Sequence, residues 1–133
     1  MITNYQITPG TAVLLDSTDQ TTDAKLVFVS TTTGTSSGTA VKSAITTIAL
    51  CNTGTGDPAL VDETIDRVIV SVYLVKATKN YGVANRIVSN LIIPAGDTVF
   101  FNDERIILDE DDEIWIGTSD AGLLSVTISS LEV

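Results

Sequence analysis

Arg67-Val68-Ile69-Val70-Ser71-Val72-Tyr73-Leu74-Val75-Lys76 is the stretch on which the fold class turns. It is rich in β-branched residues and bounded by a charge at each end, the composition of a pleated strand. Alternation sets Val68, Val70, Val72 and Leu74 on one face and Ile69, Tyr73 and Val75 on or near the other. The same period recurs on both sides. Lys25–Ser30 reads as a strand with Leu26 and Phe28 opposed to Val27 and Val29. Val41–Cys51 reads as another, with Val41, Ile45 and Ala49 opposed to Ile48 and Leu50. Arg86–Ile93 follows, and Leu123–Val133 closes the chain by alternating Leu124, Val126 and Ile128 against Ser125, Thr127 and Ser129. No helical apolar period runs longer than about two turns.

Turn chemistry separates these runs. Asn52–Pro58 holds two glycines and a proline, Pro94-Ala95-Gly96-Asp97 a proline and a glycine, and Ser119–Gly122 a glycine. Proline fixes φ and glycine is free to take φ > 0. Thr31–Thr39 is a long polar loop, a candidate partner contact. Ile93–Phe101 is echoed 15 residues later by Leu108–Ile116: apolar residue, polar turn, outgoing apolar strand. About seven or eight strands with turns every 8 to 15 residues or so predict an all-β, antiparallel, jelly-roll-like sandwich. Residues 21–133 form that single domain, and residues 1–20, which fit the pattern least well, read as an arm.

The 133 residues are 44% hydrophobic and 18% charged, against general disorder. Seventeen acids and seven bases leave a net charge of −10 and a pI near 4.1. That balance disfavours a phosphate backbone as partner. Without histidine there is no His-based triad or metal site. One cysteine, Cys51, allows no internal disulfide, and beside no base it reads as a small buried hydrophobe. The start of the chain lacks the basic and apolar regions of a signal peptide, and no apolar run reaches the ~20 residues of a membrane helix. The expectation is synthesis in a reducing cytoplasm, with no membrane partner.

Asp109-Glu110-Asp111-Asp112-Glu113 is the loudest chemical feature. Asp109, Asp111, Asp112 and Glu113 are candidate ligands for a hard cation such as Ca²⁺, which takes six to eight oxygens. The spacing and central glycine of a calcium loop are missing, so the competing reading is a solvated turn that keeps sheet edges apart. Gly54-Thr55-Gly56 lacks the third glycine and lysine of a phosphate loop and reads as a turn. Lys76, Lys79 and Arg86 around Tyr81 form the one basic cluster, a solvated loop or a seat for an acidic partner or sugar. Trp115 and Phe100 hold equivalent places in the echo and read as core. No residue set here makes an enzyme, and no cofactor is expected.

From about Val41 to Val133 the chain resembles small structural proteins of tailed-bacteriophage virions, typified by capsid decoration and accessory subunits. Ile48–Gly54 resembles their strand ending in an Asn-Thr turn, and Val70–Val75 their "V-x-L-Y-L-V" strand. Leu91–Val99 resembles their "IPAGDTV" corner. Ile107 to Ile114, Ser119–Gly122 and Val126–Glu132 resemble their closing segment. Two departures stand out: the acidic run replaces an Ala-Gly-Asp turn, and Ser130 replaces a glycine. The resemblance implies a non-enzymatic sandwich, a homo-oligomer (a trimer by preference), and a place on the virion beside proteins such as the major capsid protein. It leaves open a decoration or head-neck role, a tail, baseplate or fibre role, and, outside that class, a host-surface carbohydrate-binding module with an exposed aromatic at Trp115 or Tyr81. A hydrolase using paired carboxylates is the third class.

Overall fold

A computed structural model describes residues 2–6, 23–30, 42–59, 61–77, 85–102 and 106–132. The Thr31–Thr39 loop, Lys79 and Tyr81 lie outside the described residues, as does most of the 1–20 stretch. The described chain has no α-helix, and nothing in it is long and apolar enough to cross a membrane as a helix. Among the described residues nine strands form: β1 (Ile2–Gln6), β2 (Asp23–Val29), β3 (Ser43–Asn52), β4 (Val68–Val75), β5 (Arg86–Ile93), β6 (Thr98–Phe101), β7 (Ile106–Leu108), β8 (Glu113–Thr118) and β9 (Leu124–Glu132). Ile2–Gln6, inside the stretch read as an arm, pairs along β9.

All pairings are antiparallel. One sheet, sheet A, runs β1-β9-β3-β6 with β7 also on β3; the other, sheet B, runs β2-β8-β4-β5. β6 and β7 are two pieces of one edge strand, the first beside Ile48–Cys51 and the second beside Ser43–Ile45. The logic is that of one long hairpin. β4 pairs β5, β3 pairs β6 and β7, β2 pairs β8, and β1 pairs β9. Rolling it up brings β9 onto β3 and β8 onto β4, which is the winding of a jelly roll.

The core lies between the sheets. Ile45, Ile48 and Leu50 of β3 and Leu124, Val126 and Ile128 of β9 face Val68, Val70 and Val72 of β4 and Ile114 and Ile116 of β8. Full burial of each such side chain contributes roughly 1.5–3 kcal/mol. Alternation set most of this, but three strands carry bulges that break it. Val27 sits between the registered pairs Leu26↔Trp115 and Phe28↔Ile114. Val27 and Phe28 are therefore both buried, where strict alternation sets them on opposite faces. β3 bulges at Thr46. β5 bulges around Ile87 and again at Ser89-Asn90, where Asn90 takes φ 51° and its N–H donates to Ser71 Oγ.

The echo in the sequence is an echo in space. Asp97 N–H donates to Pro94 O and Asp112 N–H to Asp109 O, closing two like turns. Gly96 (φ 79°) and Asp111 (φ 64°) hold the same left-handed position in them. Each turn then exchanges two backbone bonds with the end of a neighbouring strand: Gly96 and Asp97 with Asn52, Asp111 and Asp112 with Ser30. Glycine adopts this φ without a steric penalty and aspartate does not. Asp111→Gly is therefore expected to raise stability by about 0.5 kcal/mol or more, since it also removes one charge from the run. Gly96→Ala is expected to lower stability by about 1 kcal/mol for backbone reasons alone, because a Cβ there meets nothing within 4 Å. Paired thermal melts test both; a stabilised Gly96→Ala would contradict the shared turn geometry.

Candidate interaction surface

The acidic run does not gather into a cation site. Asp112 points inward and is 3% exposed. Its Oδ2 accepts from Lys76 Nζ at 2.7 Å and Asp109 N–H at 3.0 Å, and its Oδ1 from Ala77 N–H at 3.1 Å. Asp109 faces solvent between Lys42 and Lys76, at 3.6 and 3.5 Å. Asp111 is exposed, and Glu113 stands beside Val75 on β8. Among the described residues no three acidic or cysteine side chains are placed to share a metal ion. Burial pushes the Asp112 carboxyl upward, but the Lys76 hydrogen bond, the two amides and the Lys76 charge outweigh it and hold the group below its ordinary value. The Asp112 hydrogen bond in turn raises the Lys76 ammonium.

A second acidic group lines an open cleft with Thr55, Gly56 and Pro94: Asp57, Asp62, Glu63 and Asp97. Two of these serve the loop itself. Asp57 accepts from the Ala59 and Asp62 amides, and Asp62 from the Thr64 amide and hydroxyl. The Thr64 hydroxyl, joined by the Thr64 amide, holds Asp62 below its usual value. At this end of the sandwich the organising side chain is Asn52, which composition and spacing do not mark. It is 1% exposed. Its Nδ2 donates to Asp66 O (2.7 Å) and Ile93 O (2.9 Å), and its Oδ1 accepts from Gly54 N–H (2.9 Å).

The remaining candidates fall apart in space. Lys76 belongs to the Asp112 network, while Arg86 is half-buried on β5 opposite Tyr73. Trp115 is half-buried on the outer side of sheet B, in register between Leu26 and Tyr73. Phe100 is not core: it is 59% exposed, because Val99 and Phe101 take the inward positions of β6. Cys51 is half-buried on the outer side of β3, between Thr98 and Ser125.

Phe100 belongs to a larger feature, the outer face of sheet A. In successive rows across β6 or β7, β3 and β9 stand Thr98–Cys51–Ser125, Phe100–Ala49–Thr127 and Ile107–Ala44–Leu131, with Thr47–Ser129 between the last two. Phe100, Ile107 and Leu131 are each more than half exposed, and the residues between them are small. None of these side chains is charged. At the neighbouring edge an open groove of about 360 Å³ runs between β5 and β6–β7, lined by Ile87, Val88, Phe100, Phe101, Asn102 and Ile106 over Ile48 and Val72. Among the described residues that line it, it offers apolar surface and one amide.

Compared with models of protein families, with curated proteins and with solved structures, the chain matches none.

Proposed function

We propose that this chain is a non-enzymatic structural subunit of a tailed-bacteriophage virion, a capsid decoration or head-neck accessory protein that works by assembly. The observation that carries the reading is the outer face of sheet A: its described rows bear Phe100, Ile107 and Leu131 and no charged side chain, on a chain of net charge −10. Soluble proteins that expose such patches use them for contact with other molecules. The sequence resemblance supplies the virion as the setting, and the jelly-roll winding is one that capsid domains use among others. Acidic turns at the sandwich ends keep the free subunit soluble in the host cytoplasm before assembly. A carbohydrate-binding role has less support, since Trp115, one of the two aromatics named for it, is half-buried on the other sheet.

An antibody raised against the folded protein is expected to label purified virions of the phage whose genome encodes the chain, at one fixed place on the particle. Protein found only in the lysate, with particles unlabelled, overturns the reading.

A further inference from the structure

The geometry points to a second copy of this chain as the partner of the outer face of sheet A, the two faces meeting across a two-fold axis. The inference rests on the assembly reading above and adds to it the occupant and, in place of the trimer that the sequence resemblance implies, a two-fold symmetry.

Charge selects the occupant. Each copy carries −10, so two copies approach at least cost where neither presents charge, and the described rows of this face present none. A strongly basic partner would instead be drawn to the acid-rich turns at the ends, around Asp109–Asp111 and Asp57–Glu63. Shape selects the symmetry. Phe100 stands on β6 with the small Ala49 and Thr127 beside it on β3 and β9, whereas in the next large row Ala44 lies between Ile107 and Leu131. Packed sheets stand about 10 Å apart and need side chains to fill the gap. Small residues facing small residues leave it empty. A two-fold axis lays Phe100 of each copy over the Ala49–Thr127 hollow of the other, so the face carries both the projection and its complement, as an isologous contact requires.

Native mass spectrometry and sedimentation of the full chain at about 50 μM, ample for a standard-sized interface, are expected to show a particle of twice 14.0 kDa. Thr127→Lys, which fills the hollow that takes the other copy's Phe100 and brings a charge into the contact, and Phe100→Ser, which removes the projecting ring, are each expected to weaken the dimer by about 100-fold. Both residues lie outside the core cluster, and unchanged circular dichroism and melting of the monomeric variants shows that the fold is intact. If Thr127→Lys alone fails to fold, Phe100→Ser decides. A wild-type monomer at that concentration, a trimer, or a dimer indifferent to both substitutions overturns the proposal. Virion labelling reports separately: a monomer that labels particles sinks the dimer alone, and a dimer absent from particles sinks the virion role alone.

Discussion

Asn52→Asp is expected to lower the melting temperature by about 15 °C, the cost of roughly 4 kcal/mol in a domain of this size. The substitution is nearly isosteric, so packing hardly changes. The chemistry reverses: an amide donating to Asp66 O and Ile93 O becomes a carboxylate that donates to neither and faces both. Two buried carbonyls lose their donor, and a charge enters a site that is 1% exposed. Asn52→Ala, which adds no charge, is expected to cost about 3 kcal/mol. The same corner explains Gly54. A Cβ there would lie 2.7 Å from Asp66 Cβ and 3.0 Å from Asn52 Oδ1, so the loop closes on Asn52 only with glycine in that place. Urea and thermal unfolding measure these losses. An Asn52→Asp protein melting within a few degrees of the wild type would show that the 53–67 loop does not depend on this amide.

At the opposite end, Asp112→Ala is expected to cost about 3 kcal/mol, because two amides and an ammonium lose one buried acceptor. The loss has a pH signature. The folded Asp112 pKa lies below its unfolded value, so its contribution is present above about pH 4 and disappears as pH falls through the folded pKa. Lys76 is raised, so its share is complete below an unfolded pKa of about 10.4 and is lost as pH rises through the folded value. Wild type and Asp112→Ala should therefore differ most between those limits and converge in acid. Lys76→Ala should give a smaller, salt-sensitive loss, since that side chain is largely exposed. Stability curves from pH 2 to pH 9 or so would check the sign; a gap between wild type and Asp112→Ala that widens in acid would contradict the role of the Asp112 network.

The parts of the molecule legible in the sequence are those governed by local periodicity. Period-two alternation in Val68–Val75 and Leu124–Ser130 marked strands and their inward faces. Pro94–Asp97 and its acidic echo marked two turns that share one geometry. Where a bulge adds a residue, as at Val27, alternation misassigns a face, because a bulge depends on the partner strand rather than on the run itself. Phe100 was misread for a related reason: an aromatic on a short edge strand can point either way, and the packing of Val99 and Phe101 decides it.

The acidic run shows most plainly what local reading misses. Five successive acids are chemically alike in sequence, yet one is buried and the others are not. Which one turns inward depends on Lys76 and Ala77, more than thirty positions away. Asn52 is likewise silent until Asp66, Ile93 and Gly54 come within its reach. The sequence alone determined an acidic, histidine-free chain of alternating strands and therefore an antiparallel sandwich, since composition and period are properties of single segments. Only the tertiary structure decided which polar groups tie its ends and which face sets Phe100, Ile107 and Leu131 outward, because those depend on register between strands far apart in the chain.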